Sequence, residues 1–422
     1  MTLSRRAFIQ RLSFGSAGLT IGLQLQASSF APADATEFTP DVFVTLEASG
    51  TVRIRCHRSE MGQGIRSTIP RLIADEMEAD WNKVVVEQAL GDAKYGDQNT
   101  DGSRSIRKNY DRLKRAGATV RTLLQQAAAD TWQVAPDQVR IHNHAAHHAD
   151  GKKTLGFGAL VAKAANLPVP AADQLTLKPE KDYRYVMKKE WELLDGLDIV
   201  TGKAEYGYDV AVKDMKIALI ARPPVVFGKV KSFDASETLK VPGVLEVVEM
   251  PALSPPAAFK MLGGIAVVAE HTWAAIQGRE KLKIEWEDGP NAKYDTVAHQ
   301  AEFEKALEDP KHVVRQHGNW QEAESQAESR LDAAYKVAGL AHATMEPLAA
   351  TARLTDDGVE VWACTQTPQA AQANVMQTLE IPQEKANSVK VHVTLLGGGF
   401  GRKSKPDYVA EAAFLAHKTK RT

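Results

Sequence analysis

The stretch Leu395-Leu396-Gly397-Gly398-Gly399-Phe400-Gly401-Arg402-Lys403 constrains the fold of this chain more than any other. An apolar, β-branched run from Val389 to Leu396 feeds three consecutive glycines, and a Phe-Gly-Arg-Lys turn then enters the helix-like run Tyr408 to His417. The pattern predicts a strand, a bare-backbone loop and a helix. Without Cβ atoms the main chain can approach a ligand closely and turn its N–H groups toward an anion at the helix N-terminus. Glycines also punctuate ordinary tight turns, so the loop alone fits either use. It lacks the GxGxxG spacing of a dinucleotide fingerprint and the acidic residue about 20 positions on that a ribose would require.

The same design recurs far upstream. Strand-like Thr51 to Cys56 leads through Glu60-Met61-Gly62-Gln63-Gly64 into the helix-like run Ile65 to Glu78. Two anion-cradling loops so distant in sequence point to one extended ligand. A small polar loop, Asp101-Gly102-Ser103-Arg104-Ser105-Ile106, precedes the helix-like stretch Asn109 to Thr131. Its hydroxyl and N–H groups suit a phosphate or an N-terminal helix cap equally well. His142, His144, His147 and His148 fall in a turn-rich piece without a carboxylate or thiolate set nearby, so they read as solvated loop residues and no metal ligand is assigned.

In chain order, the N-terminus carries Ser4-Arg5-Arg6-Ala7-Phe8, a short apolar run from Leu12 to Leu25, and Ala31-Pro32-Ala33. This describes an export signal of the twin-arginine type over residues 1–35, and places the mature protein in the periplasm. Alternation from Asp41 to Cys56 predicts a β-hairpin, followed by a short strand at Val84 to Gln88. Residues 167–197 are rich in Pro, Lys and Asp without periodicity and read as a linker. From about Asp198 to Gly289, strands at Ala218–Ala221, Val244–Val248, Ile265–Ala269 and Lys283–Trp286 alternate with a helix at Thr272–Lys281. A charged helical span, Asp295 to Ser329, then connects to His342-Ala343-Thr344-Met345-Glu346-Pro347, and the strand Val359 to Cys364 ends at Thr365-Gln366-Thr367-Pro368.

Only two cysteines, Cys56 and Cys364, occur in 422 residues, so the chain can build neither a disulfide framework nor an iron–sulfur ligand set. Both read as small buried residues. If the protein carries out redox chemistry, its iron–sulfur centres lie on another polypeptide. A net charge of −1 with no basic stripe argues against nucleic acid as a partner.

The joint occurrence of Met61-Gly62-Gln63-Gly64, His342 to Pro347, Thr365 to Pro368 and Gly397 to Gly401 resembles the molybdopterin-binding large subunit of the molybdenum hydroxylases, the xanthine dehydrogenase and aldehyde oxidase family. The early position of the Met-Gly-Gln-Gly loop resembles the isoquinoline 1-oxidoreductase β-subunit branch. The resemblance implies an α/β (α+β) fold in which molybdopterin-binding segments, 36–166 and 291–422, surround a small α/β hammerhead domain at 198–290. It places Gly62, Gln63, Gly64, Ser103, Gly398, Gly399, Phe400, Gly401 and Arg402 on the cofactor, and gives Gln366 the contact to an oxygen on the molybdenum. Glu346 becomes a structural anchor of the active-site wall. The implied cofactor is molybdopterin, in the simple or the cytosine dinucleotide form. The implied partners are a small [2Fe-2S] subunit, a cytochrome c acceptor, and an aldehyde or N-heterocycle as substrate. Two departures stand out. The glutamate of a late Gly-Glu segment, the base in this family, has no counterpart here, so the chain is expected to be the N-terminal part of a large subunit or, alternatively, a non-catalytic cofactor-binding or assembly protein. Ser404 stands where purine-oxidising members carry glutamate, which argues against a purine substrate.

Overall fold

The computed structural model describes residues 35–188, 192–308 and 311–422. Residues 1–34, which carry nearly all of the expected export signal, lie outside them. The chain divides into two compact units, Met1–Lys213 with Thr344–Thr422, and Asp214–Ala343.

The first unit opens with strands β1 (Glu37–Asp41), β2 (Val44–Glu47) and β3 (Val52–Cys56), helix α1 (Ile65–Glu76) and strand β4 (Val84–Gln88). The expected hairpin is β2–β3, with Val44 opposite Ile54, and its alternation buries Val52, Ile54 and Cys56 on one face. Strand β4 lies parallel to β3, so the connection must cross over the sheet, and α1 is that crossover. It buries Ile69, Leu72 and Ile73 in a core shared with helix α2 (Tyr110–Trp132), where Leu113, Val120 and Leu124 are fully buried or nearly so. A three-stranded sheet of β5 (Val139–His142), β6 (Ala145–His148) and β7 (Thr154–Gly156), and helix α3 (Phe157–Ala164), complete this core.

Residues 167–197 depart from the linker expectation. The buried Asp75 carboxylate accepts from Lys178 Nζ (2.9 Å) and from the N–H groups of Arg184 (2.8 Å), Tyr185 (2.9 Å) and Val186 (3.0 Å). Main-chain bonds to one buried side chain need no side-chain periodicity, which is why no pattern announced them. Asp75→Ala leaves these N–H groups bare and Lys178 with Glu78 as its remaining carboxylate. The expected cost is about 3 kcal/mol in urea unfolding, with faster amide exchange across 178–186. Unchanged exchange there would refute the fastening.

The second unit contains β8 (Ile217–Ala221), β9 (Lys229–Asp234), β10 (Val244–Met250), β11 (Gly264–Ala269), helix α4 (Thr272–Lys281), β12 (Lys283–Glu287) and helix α5 (Thr296–Glu308). One antiparallel sheet runs β10-β11-β8, with every residue of β11 buried, and β9 pairs with β12. Strand β9, Lys-Val-Lys-Ser-Phe-Asp, is almost wholly exposed and carries no apolar alternation for sequence reasoning to find. The unit begins at Asp214 rather than 198 and extends to Ala343 rather than 290. The charged span contains α5 and a short helix at Trp320–Ser325, not one continuous helix.

The chain re-enters the first unit through β13 (Ala350–Thr355), β14 (Gly358–Ala363), helix α6 (Pro368–Thr378), β15 (Val389–Val393) and helix α7 (Asp407–Thr419). Strands β14 and β15 are parallel, joined by the crossover α6, and β13 pairs antiparallel with β14. Val361, Val391, Val375 and Val409 are fully buried between this sheet and the two helices. Among the described residues no helix is long and apolar enough to cross a membrane.

Candidate functional site

Three loops leave the carboxyl ends of parallel strands and enter helices: residues 57–64 between β3 and α1, 364–367 between β14 and α6, and 394–406 between β15 and α7. This is where open α/β sheets place ligands, because helix N-termini and unpaired N–H groups gather there. The three loops meet. Ser59 Oγ donates to Thr365 O (2.7 Å), Leu396 N to Glu60 O (3.0 Å) and Gln366 N to Lys403 O (3.0 Å). The loop before Ser103 joins them, since Ser59 N donates to Thr100 Oγ1 (2.9 Å) and Thr100 N to Gln366 O (2.8 Å). Segments about 300 residues apart in sequence, such as Ser59 and Thr365, are therefore within hydrogen-bond distance, as are Asn99 and Ser404.

Each strand-end loop is organised around one buried side chain. In the first, the Glu60 carboxylate accepts from Gly62 N, Gly64 N and Arg66 N, each at 2.9 Å. Gly64, the N-cap of α1, has no side chain to cap the helix, and Glu60 supplies the charge complementary to the helix dipole. Gln63 folds onto its own loop, with Nε2 on Ser59 O (2.9 Å) and Oε1 accepting from Met61 N (2.6 Å). The first loop thus cradles an anion of its own chain, which corrects the expectation that its N–H groups wait for a ligand. Fixed spacing from Glu60 to Gly64 was visible in the sequence, but nothing in it distinguished an internal carboxylate from an external one.

In the glycine loop the organising group is Glu346. Its carboxylate accepts from Lys403 Nζ (2.6 Å), Gly397 N (2.8 Å) and Tyr208 N (3.1 Å), and its N–H donates to Gly397 O (3.1 Å). Both Lys403 and Glu346 are buried, at 0% and 8% exposure. The anchor role expected of Glu346 has this geometry. Lys403 escaped sequence reasoning because a lysine in a turn ordinarily reads as solvated.

Gln366 ties the loops together. It is 3% exposed, its Nε2 donates to Thr100 O (2.8 Å) and its Oε1 accepts from Gly401 N (3.0 Å). A side-chain amide carries two N–H groups, so one hydrogen remains after the Thr100 bond. Gly399 presses against this amide: a Cβ there would stand 2.5 Å from Gln366 Oε1 and 2.5 Å from Met61 Sδ. Gly399→Ala must push the amide off Thr100 or Gly401, at an expected cost of about 1–3 kcal/mol. Urea unfolding and exchange at the Gly401 amide, which the Gln366 side chain accepts, check this; a variant matching the parent in both would show that the amide yields freely.

The other expected contacts lie at the rim. Gly398 and Gly401 have positive φ, 91° and 82°, and Phe400, also at positive φ (50°), is 66% exposed at the loop tip. Arg402, expected on the cofactor, clamps both oxygens of Asp407 at 2.7 Å and so fastens the start of α7. Ser103 is exposed at φ 55° and makes no side-chain cap bond, which removes the capping alternative in its usual form. The histidine piece is a β-hairpin: buried His144 contacts Gly50 O (2.8 Å), accepts from Asp80 N (3.2 Å) and stacks on Phe157, while His148 pairs with Asp150 (2.7 Å). Burial pushes the Cys56 thiol up to about 12 and raises that of Cys364 as well, so neither supplies a thiolate at neutral pH.

Models of the molybdopterin cofactor-binding domain match residues 4–212 and 305–422, the two stretches that contribute the converging loops. The chain is similar to the membrane-bound aldehyde dehydrogenase [pyrroloquinoline-quinone] of Gluconacetobacter polyoxogenes, 31% identical over 98% of this chain and 54% of that protein. It is similar also to the isoquinoline 1-oxidoreductase subunit beta of Brevundimonas diminuta, 28% identical over 98% of this chain and 58% of that protein. A solved aldehyde oxidoreductase from Desulfovibrio gigas aligns with 63% of this chain and 33% of its own, at a TM-score of 0.39 and 19% identity. The chain belongs to the molybdenum hydroxylase family. It spans little more than half the length of the two relatives.

The site's own geometry fits a molybdopterin. In front of Gly62 and Gly401, both at positive φ (96° and 82°), a Cβ would meet no atom within 4 Å, so bare backbone faces open space on both loops. The exposed Phe400 ring borders the same loop, and Gln366 retains an amide hydrogen. The donor set is one of main-chain and amide hydrogen-bonding groups with apolar neighbours, suited to a flat heterocycle. Among the described residues no group of three or more His, Cys, Asp or Glu side chains is placed to bind a metal directly.

Proposed function

We propose that this chain supplies the molybdopterin-binding part of a molybdenum hydroxylase large subunit, acting on an aldehyde or an N-heteroaromatic compound. The observation that carries the reading is the meeting of the four loops: Gln366 bonds to Thr100, Gly401 and Lys403, and Ser59 of the first loop bonds to Thr100 and Thr365. In the overall reaction a substrate C–H becomes C–OH with the oxygen of water, and two electrons and two protons leave. The bound molybdenum–pterin group supplies the oxygen transfer and accepts the electrons. The chain's residues would hold that group: Gly62 and Gly401 would admit it against bare backbone, the exposed Phe400 ring would lie beside it, and Gln366 would offer its remaining N–H from a fixed place. With the amide pinned at Thr100 and Gly401, that hydrogen needs no reorganisation to donate.

The pyrroloquinoline quinone in one relative's name is a property of that protein; the two domain matches favour molybdopterin here. Electrons pass to a [2Fe-2S] subunit and onward to a cytochrome c, since the two cysteines of this chain cannot hold a cluster. Export by the twin-arginine route, supported by Arg5-Arg6 and the run after it, suits a chain that receives a large cofactor before it crosses the membrane into the periplasm. The absence of glutamate at Ser404 favours a non-purine substrate, and the cytosine dinucleotide form of the cofactor suits the same reading.

The test is molybdenum and pterin content after purification from a host that makes the cofactor, followed by dye reduction with aldehydes and N-heterocycles. About one molybdenum per chain supports the cofactor seat. Bound molybdenum without turnover, even with an iron–sulfur partner supplied, turns the reading to a non-catalytic module. No bound metal refutes it.

A further inference from the structure

The first loop has the form of an anion seat, a glycine-flanked turn at the start of a 12-residue helix, and the seat is filled by the chain itself. Glu60 is 5% exposed, and its carboxylate accepts from Gly62, Gly64 and Arg66 N–H groups at 2.9 Å. The Gln63 side chain braces the same turn, with Oε1 accepting from Met61 N and Nε2 donating to Ser59 O. The Arg66 guanidinium is also committed, donating to both oxygens of Asp195 at 2.9 and 3.2 Å.

We infer that Glu60 is a positioning residue: an internal anion that closes the first loop to phosphate and leaves it to receive an uncharged, hydrogen-bonding part of the cofactor. The inference rests on reading these loops as a cofactor seat. Two physical effects act together. A second anion at the same N–H groups meets a carboxylate about one hydrogen-bond length away, at low dielectric, so the repulsion outweighs what the half-charge of the helix end offers. Three charge-assisted bonds also hold the turn rigid before any ligand arrives, so binding orders little that is not already ordered. Glu60 reaches the glycine loop too, because its carbonyl accepts Leu396 N at 3.0 Å and its neighbour Met61 packs on the core beneath that loop. Setting the first loop therefore sets the spacing between both. Anionic parts of the cofactor are left to the other loops.

Amide exchange of the cofactor-free chain across residues 59–66 tests this, with inorganic pyrophosphate as the anionic probe and formate as a stand-in carboxylate. In the parent chain, millimolar pyrophosphate leaves exchange in this segment unchanged; slowing there would overturn the inference, and this arm needs no variant. In Glu60→Ala the segment exchanges roughly tenfold faster or more, the loss of a charged acceptor shared by three N–H groups, and formate restores protection. Unchanged exchange in Glu60→Ala, or no response to formate, would equally overturn it. Molybdenum content per folded chain is the second readout: Glu60→Ala binds several-fold less than the parent and regains it in formate, a recovery that general destabilisation does not produce. Should the parent bind no molybdenum, the cofactor reading fails while the exchange result on Glu60 stands by itself.

Discussion

Lys403→Met lowers the stability of the first unit by about 3–5 kcal/mol. The side chain has no exposed surface, and its ammonium lies 2.6 Å from Glu346 in a setting where the carboxylate also holds Gly397 N and Tyr208 N. Methionine fills the lysine volume, so the cost is not a cavity. What remains is a buried carboxylate without its cation, and a charge in that position is far costlier than the pair. The double variant Lys403→Met/Glu346→Gln removes both charges, keeps an acceptor for Gly397 N–H, and recovers at least half of the loss. Urea unfolding of the three proteins reads the difference. If Lys403→Met alone lies within about 1 kcal/mol of the parent, the pair is not what holds the glycine loop.

Gln366→Leu has the larger functional effect. Leucine retains the apolar bulk but neither bonds Thr100 O nor accepts from Gly401 N, leaving a buried acceptor and a partly buried donor bare at about 1–3 kcal/mol each. The loop before Ser103 and the glycine loop then lose their common tether, although Thr100 N still reaches the main chain of residue 366. Molybdenum content falls tenfold or more in a chain that still folds, because the retained amide hydrogen is lost together with the spacing of the loops. Gln366→Glu discriminates between the two causes: as a carboxylate it accepts from Gly401 N but cannot donate. Retention of metal by Gln366→Leu at the parent level would remove Gln366 from the site altogether.

Much of the local structure was legible in the residues. The hairpin at β2–β3 carries the apolar alternation of its element, and strand β4 at Val84–Gln88, helix α4 at Thr272–Lys281 and the strand–glycine–helix passage into α7 also form where the residues place them. Strand β9 did not show itself, since an exposed strand needs no apolar alternation. The fastening of residues 178–186 to Asp75 did not either, because hydrogen bonds from main-chain N–H groups leave no mark on side-chain order.

At the site the division is sharper. Sequence alone marked the loops that the fold brings together, because glycines at Gly62, Gly64, Gly398, Gly399 and Gly401 and an amide at Gln366 are choices of residue type visible in the local chain. Only the tertiary structure decided what each loop's donors face. Glu60 and Lys403 stand in the sequence as ordinary charged residues, and with Glu346 they become organising groups when burial removes water as their alternative partner. A charge deprived of water must find its partners within the chain, and which N–H groups lie within 3 Å of it depends on how distant segments pack, not on the residues beside it.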